Sequence, residues 1–365
     1  MYLKNSQRRV KLVLMKSKEH FSTNLDDVSY QREILQHVSR TFAITIPELP
    51  DSLRIVISNA YLLCRIADTI EDDKSMSVTK KSEFSDQFIG VVKRNIDADL
   101  FSEDLFNSLS TTATEAERNL IANTKKIIRI THSFNNRQKK ALERCISIMC
   151  KGMAKYQNSE TLNGLKDIDD LNKYCYHVAG VVGEMLTELF CDYSSDIDAY
   201  QNELMGLAIS FGQGLQMTNI LKDIWDDHKR GACWLPREHF EKYGIDIKNK
   251  MPGKNESGFD DALIELLGIA YTHLKNALHY TLLIPKKEKG LRKFCLWAIG
   301  MAVLTLNKIK KNPGFTEGKQ VKISRLDVRL TILITSFFVT NNTLLRYLFK
   351  LSGRNLPRKI SRESL

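Results

Sequence analysis

The sequence predicts an all-α protein, and three observations support that fold class. Apolar residues recur every three or four positions along most of the chain, which is the repeat of an α-helix with one buried face. Proline is scarce, at 7 of 365 residues, and the 18 glycines fall below the usual share of about 7%. No shift of composition and no fixed repeat divides the chain, so a single domain is predicted.

The first long helix is predicted over residues 53–70, directly after a turn at residues 47–50. Its side chains are apolar almost all round, which is typical of a buried helix. The polar exceptions Tyr61, Arg65 and Asp68 recur at helical spacing and form one stripe. A polar stripe on a buried helix indicates a functional site.

Carboxylates crowd the end of this helix. Asp68, Glu71 and Asp72 are spaced i, i+3 and i+4, so they lie on one face and repel one another. Their position near the helix C-terminus is also unfavourable, because the helix dipole is negative there. The pattern therefore predicts a cation beside these three side chains.

A later helix repeats the pattern. Helical runs are predicted at residues 171–192 and 203–227. The second run carries three aspartates at the same spacing and two amides on the same face: Asp223, Asp226, Asp227, Gln216 and Asn219. One such cluster is as readily a solvated helix end as a metal site, but two clusters on apolar helices favour metal binding.

The ligand type indicates the metal. Carboxylate oxygens without a histidine or cysteine partner suit hard cations, so we expect Mg²⁺, or Mn²⁺ in its place. Mg²⁺ commonly keeps coordination positions for water and phosphate, and a metal cluster beside basic residues stabilises a departing diphosphate. The carbocation left by that departure requires a dry apolar pocket.

The formal charge of +11 indicates an anionic partner. Basic residues cluster at residues 4–18 and 354–362. Charge alone fits a nucleic acid, an acidic membrane surface or a polyanionic substrate. Nucleic acid is disfavoured because the sequence contains no basic motif with interleaved aromatic residues.

Cysteine and hydropathy patterns favour a reduced, cytoplasmic protein. The seven cysteines form no CxxC pair and no zinc-like spacing. No signal peptide is recognised, and the longest apolar run near the C-terminus, residues 330–339, is far below the roughly 20 residues that span a bilayer. We expect a cytoplasmic protein, either in solution or peripheral on the membrane.

Four ordered motifs resemble the squalene/phytoene synthase family. They are SRTF from Ser39, YLLCRIADTIEDD from Tyr61, YCYHVAGVVGEM from Tyr174 and QMTNILKDIWDD from Gln216. The resemblance covers most of the chain and implies a single-domain, all-α isoprenoid synthase fold with a central apolar cavity between helices. It also implies the head-to-head condensation of two prenyl diphosphates, with farnesyl diphosphate as the expected substrate.

The same resemblance implies roles for individual residues. The implied Mg²⁺ ligands are Asp68, Glu71, Asp72, Asp223, Asp226 and Asp227. The implied substrate contacts are Ser39, Arg40, Phe42, Gln216 and Asn219, and the implied catalytic residues are Tyr61, Arg65 and Tyr174. Arginine suits diphosphate oxygens, while aromatic rings stabilise positive charge and a phenol moves a proton. Taken alone, Ser39 is better explained as a helix cap, and Tyr174 fits the core equally well.

The product is the point on which family members differ. Squalene synthases reduce the condensed intermediate with NADPH, whereas phytoene and dehydrosqualene synthases lose a proton. The strings MAVLTLNK and VKISR resemble the squalene branch, which implies cofactor contacts at Phe294, Lys322 and Arg325. Ala298, Ser324 and the string WLPREHF depart from that branch, and no GxGxxG fingerprint is present. We expect a squalene synthase of sterol or hopanoid biosynthesis, with a dehydrosqualene or phytoene synthase as the alternative.

Three segments are predicted along the chain. They are a basic N-terminal segment at 1–28, a catalytic domain at 29–327 and a basic, amphipathic tail at 328–365. The tail fits either a membrane surface or packing against the core, and a monomer is expected. A non-catalytic helical assembly protein is the competing class of function. It is disfavoured because a protein that had lost catalysis would be free to lose carboxylates that repel one another without a metal, and here all six are present.

Overall fold

The described residues fold into α-helices joined by turns and longer loops. The computed structural model describes residues 25–39, 41–157, 161–253 and 257–357, and no strand forms within those ranges. The helices are α1 (Leu25–Val38), α2 (Phe42–Thr45), α3 (Asp51–Asp72), α4 (Val78–Val92), α5 (Ala98–Ser108), α6 (Glu115–Ala122), α7 (Thr124–Ser133), α8 (Asn136–Gln157), α9 (Ile168–Cys175), α10 (Val181–Tyr193), α11 (Ser195–Asp198), α12 (Gln201–Lys229), α13 (Arg237–Glu241), α14 (Ser257–Leu283), α15 (Lys289–Lys311), α16 (Arg325–Phe337) and α17 (Asn342–Ser352). The predicted all-α fold class is confirmed.

The helices group into two compact units. Unit 1 contains the described residues up to Ala154 together with Glu188–Ala199. Unit 2 contains Lys155–Thr187 and the described residues from Tyr200 onward. Each of the two units contains one of the acidic helix ends.

Helix α3 of unit 1 is buried along most of its length, as its apolar sequence predicts. Leu62, Leu63 and Ile66 are fully buried, and Asn59 is buried with them. The Asn59 amide is satisfied, because it accepts a hydrogen bond from Gln31 Nε2 at 3.0 Å and donates one to Thr131 Oγ1 at 2.6 Å. The helix extends two residues beyond the predicted span at each end.

Close backbone contacts fix the packing of α12 in unit 2. A Cβ built on Gly183 would lie 2.1 Å from the carbonyl oxygen of Ala208, and one built on Gly212 would lie 2.1 Å from that of Ala179. Neither position accepts a larger residue without movement of the backbone. We call these four residues the glycine seam, in which small residues allow close helix packing.

The run predicted as one helix over residues 171–192 is interrupted. Helix α9 ends at Cys175, a π-helical turn covers Tyr176–Gly180, and α10 begins at Val181. A π-turn accommodates one extra residue in the helix and often accompanies functional sites. Periodicity alone did not predict it, because the apolar pattern continues on both sides.

Three helices and a short 3-10 turn complete unit 2. After α15, the 3-10 turn Gly318–Val321 precedes α16 and α17. Helix α16 runs across residue 328, where the predicted tail begins. None of the described helices has both the length and the apolar character needed to cross a bilayer.

Candidate active site

The first acidic helix end lies at the C-terminus of α3, with Asp72 as its last residue. Asp68 keeps 37% of its side chain exposed. Its pKa is nevertheless raised to about 7, first by burial among its neighbours and then by the charge of Asp72, against an opposing effect of Arg65. The repulsion predicted from the i, i+4 spacing is therefore present.

Arg65 connects this end to a residue that sequence reasoning missed. Its Nη2 donates to Glu117 Oε1, while its Nη1 lies 4.0 Å from Asp68 Oδ2. The other oxygen of Glu117 accepts hydrogen bonds from Thr114 N at 2.8 Å and Thr114 Oγ1 at 2.9 Å. Thr114 and Glu117 form a capping box at the start of α6, a TxxE signal that is visible in the sequence. The Glu117 carboxylate thus stabilises the start of α6 and also holds Arg65 in place.

Two further groups stabilise the end of α3. Lys81 donates from Nζ to the carbonyl oxygen of Glu71, which places positive charge at the negative end of the helix dipole. Asp73 accepts hydrogen bonds from the backbone N–H groups of Ser75, Met76 and Ser110, at 2.9, 3.1 and 2.7 Å. Asp73 is therefore a capping residue, unlike the three carboxylates before it.

The SRTF motif lies beside the polar stripe of α3. The Phe42 N–H donates to Ser39 Oγ at 3.0 Å, so Ser39 satisfies the first N–H of α2, although Thr41 occupies the N-cap position. The Tyr61 hydroxyl donates to the Val38 carbonyl at 3.0 Å, and the rings of Phe42 and Tyr61 are 5.1 Å apart. The structure thus brings together Ser39, Phe42 and Tyr61, whereas Arg40 lies outside the described residues.

The second acidic helix end lies near the C-terminus of α12. Asp223 pairs with Lys222 at 2.5 Å, and Asp227 accepts a hydrogen bond from Arg230 Nη2. Burial raises the pKa of Asp227 to about 6, although Arg230 opposes the shift. Asn219, predicted to share this face, is exposed. Lys222 and Arg230, which are close in sequence to the aspartates, therefore compensate part of the negative charge of this helix end.

The 3-10 turn at Gly318 packs directly on this acidic face. A Cβ built on Gly318 would lie 2.7 Å from Asp226 Oδ2 and 2.9 Å from Asp223 Oδ1. The two oxygens are therefore no more than 5.6 Å apart, the sum of those distances, and they converge on one point. Sequence reasoning missed Gly318, because nothing in a linear pattern pairs it with the aspartates.

Aromatic rings surround Tyr174 in unit 2. Tyr174 stacks on Trp234, with ring centres 4.2 Å apart and 5° between planes, and meets the edge of Tyr156 at 5.2 Å. The Tyr156 hydroxyl donates to Asp170 Oδ1 at 3.1 Å. Trp234 and Tyr156 were missed as site residues, although stacking aromatics are a common way to present a π-face. Gln216 lies half-buried on α12.

The three residues predicted to contact NADPH differ in accessibility. Phe294 keeps only 5% of its surface exposed on α15, so little of its ring is available to a ligand. Lys322 and Arg325 are exposed on either side of Ser324. Ser324 is the N-cap of α16 and forms a capping box with Asp327, which explains a serine between the two basic residues.

The acidic ends fit a hard divalent cation by donor chemistry. Among the described residues, no three histidine, cysteine, aspartate or glutamate side chains are already arranged to hold a metal ion. The donors present are nevertheless carboxylate oxygens, which Mg²⁺ prefers, and those of Asp223 and Asp226 converge. Coordination would require these side chains to rotate or the Gly318 turn to move.

The chain is similar to known proteins over most of its length. Residues 35–327 match the model of the squalene/phytoene synthase family. The squalene synthase of Candida albicans is 31% identical over 292 residues, which cover 78% of this chain and 62% of that protein. The squalene synthase of Schizosaccharomyces pombe is 28% identical over 332 residues, covering 89% of this chain and 69% of that one.

Solved structures support the fold. A ligand complex of TcSQS aligns with a TM-score of 0.72 at 23% identity, over 93% of this chain and 94% of the other. The predicted isoprenoid synthase fold is confirmed by this likeness. The first curated relatives are longer, since the matched part of this chain spans only 61–62% of their length.

Proposed function

The chain belongs to the squalene/phytoene synthase family, and we propose that it is a squalene synthase. The proposed reaction is the Mg²⁺-dependent head-to-head condensation of two farnesyl diphosphates, followed by reduction with NADPH. The observation that carries the proposal is the pair of acidic helix ends, each with one carboxylate whose pKa is raised by burial. Relatives over most of the chain carry the name squalene synthase.

The six carboxylates would hold Mg²⁺, which neutralises the charge of the departing diphosphate when bound. Arg65 would bind diphosphate oxygens beside the first acidic end. Glu117 holds one edge of its guanidinium, so the direction of the remaining N–H groups is restricted. The Arg65 side chain then loses less conformational freedom when the diphosphate binds.

The aromatic residues would manage the carbocation. The Tyr174 ring is fixed by Trp234 and Tyr156, and because Tyr174 is only 5% exposed, a small part of the ring would face a reacting chain. Aromatic faces stabilise positive charge at short range. Burial also raises the pKa of the Tyr61 phenol above its usual range, so Tyr61 would act as a hydrogen-bond donor and not as a phenolate.

The reductive step depends on the exposed basic residues after the 3-10 turn. Lys322 and Arg325 would contact phosphate groups of NADPH, since both are accessible. A dehydrosqualene synthase, which needs no reductant, is the alternative.

The test is incubation of the purified protein with farnesyl diphosphate and Mg²⁺, with and without NADPH, followed by mass identification of the hydrocarbon. Squalene that forms only with NADPH is the expected result. Dehydrosqualene in both reactions would replace the proposal by its alternative. Absence of any condensed product, with geranylgeranyl diphosphate also inactive, would overturn the enzymatic assignment.

A further inference from the structure

Helix α16 presents an apolar stripe to solvent. Leu326, Leu330, Leu333 and Phe337 follow one another at i, i+4, i+7 and i+11, so they lie on one face of the helix. Their exposed fractions are 63, 46, 66 and 79%. A contiguous row of large exposed apolar side chains is unusual on a soluble protein and marks an interaction surface.

The opposite face of α16 packs on unit 2 and is more polar. Thr331 is buried there, and its Cγ2 would lie 2.5 Å from a Cβ built on Gly300 of α15. Thr335 and Asp327 lie on the same inner side and line a cavity of about 240 Å³ with Leu296 and other apolar residues of α14, α15 and α17. Leu330 and Ile334 also border this cavity, although both stay partly exposed. The remaining large apolar residues of the stripe, Leu326, Leu333 and Phe337, do not border it, so the helix buries threonine and exposes most of its large apolar side chains, the reverse of an ordinary surface helix.

The next helix adds two more exposed apolar side chains. Tyr347 and Leu351 of α17 are 60 and 45% exposed and lie one turn apart. Leu345 of the same helix is buried, so α17 is anchored on unit 2 by its other side. We use the name apolar face for six of the exposed apolar residues of the two helices: Leu326, Leu330, Leu333, Phe337, Tyr347 and Leu351.

Positive charge accompanies the apolar face. Between residues 322 and 357 the sequence has six basic residues and one acidic residue, Asp327. Asp327 is engaged in the capping box of Ser324. Arg329 and Lys350 are exposed next to the apolar residues of their helices. Over residues 322–365 the nine basic and two acidic residues give a formal charge of +7, most of the +11 of the chain.

We propose that the apolar face docks on the surface of an anionic lipid bilayer, with α16 and α17 lying in the plane of the interface. An exposed apolar stripe flanked by arginine and lysine suits the boundary between acyl chains and acidic headgroups. A second copy of this chain is a poorer occupant, because two surfaces of the same positive charge repel each other. The proposal is independent of the catalytic assignment.

The test is flotation of the full chain with vesicles of phosphatidylcholine alone and with added phosphatidylglycerol. We expect stronger binding to the anionic vesicles, weakened by added salt because the headgroup attraction is screened. The double variant Leu333→Ser, Phe337→Ser should bind the anionic vesicles about 10-fold or more weakly, since it removes two large apolar contacts. Both side chains are exposed, so the variant should keep the wild-type circular dichroism.

Leu100→Ser is the matched control. Leu100 is as exposed as Leu333, at 66%, but lies on α5 of unit 1. Its variant should float like the wild type. Failure of the wild type to bind anionic vesicles, or equal losses in both variants, would overturn the proposal. Wild-type dimers in sedimentation that the double variant abolishes, without vesicle binding, would assign the face to a second copy instead.

Discussion

The two acidic helix ends share a sequence pattern but differ in how their charge is compensated. At the end of α3, residues from other helices take part: Glu117 holds Arg65 in place, and Lys81 donates a hydrogen bond to the Glu71 carbonyl. At the end of α12, the paired basic residues are sequence neighbours, Lys222 and Arg230, and Lys319 of the 3-10 turn adds a longer-range attraction to Asp226. Spacing therefore determines which face the carboxylates occupy, while the fold determines their electrostatic environment.

The largest effects are expected at the carboxylates themselves. Asp68→Asn and Asp223→Asn should each lower turnover about 100-fold or more, because each removes a negative charge that would hold Mg²⁺ against the departing diphosphate. Product formed per minute, with helix content checked by circular dichroism, measures the loss. Equal losses would show that both ends contribute despite their different surroundings.

Asp73→Asn is the control for this pair of variants. Asp73 follows the cluster directly but accepts hydrogen bonds from three backbone N–H groups. Its variant should lose about 1–3 kcal/mol of stability while keeping its turnover. A fall in turnover as large as that of Asp68→Asn, in folded protein, would contradict the division between ligands and cap.

A smaller effect is expected where the 3-10 turn meets the second acidic end. Gly318→Ala would place a methyl group 2.7 Å from Asp226 Oδ2, so the turn or the carboxylate must move. We expect turnover to fall about 10-fold, or ~1.4 kcal/mol, with a higher Mg²⁺ concentration needed for half-maximal rate. The first acidic end should be unaffected.

Gly206→Ala on α12 is the matched substitution. A Cβ built there meets nothing within 4 Å, and alanine favours a helix interior. Turnover should therefore be unchanged and the melting temperature slightly higher. If Gly318→Ala also left turnover unchanged, the packing of Gly318 on the aspartates would not contribute to activity.

The smallest effect is expected from Glu117→Gln, which leaves the capping geometry but removes the charge facing Arg65. We expect a loss of turnover of a few fold, since one charge-assisted hydrogen bond becomes a neutral one. Arg65→Lys is the comparison, and it should cost more because the planar fork is lost. An unchanged rate for Glu117→Gln would show that Arg65 needs no positioning partner.

The same variant has a pH signature. Burial acts to raise the pKa of Glu117, but hydrogen bonds from Thr114 and the charge of Arg65 outweigh it, so the pKa lies below the ordinary 4.5. A lowered pKa stabilises the folded state fully above pH 4.5, and this contribution disappears as pH falls through the folded value. Urea unfolding should therefore separate wild type and variant above pH 4.5 and bring them together in more acidic buffer.

The sequence was sufficient for the helices and for the acidic faces, because both follow from periodicity within one element. Tyr61, Arg65 and Asp68 were predicted to share a stripe, and the structure places Arg65 4.0 Å from Asp68. Glu117 and Gly318 were not predicted, because their roles depend on contacts between elements far apart in sequence. The assignments of ligands, substrate contacts and cofactor contacts stay predictions.

The glycine seam restricts how the interior of unit 2 can vary. A Cβ on Gly183 or Gly212 would lie 2.1 Å from a carbonyl oxygen of the facing segment, so there is no room for a side chain at either position. Any larger residue would therefore displace the backbone of α12 or of the segment that it packs on. The spacing of these segments therefore acts as a fixed dimension of unit 2. Any change in the shape of its interior has to come from side chains that point away from the seam.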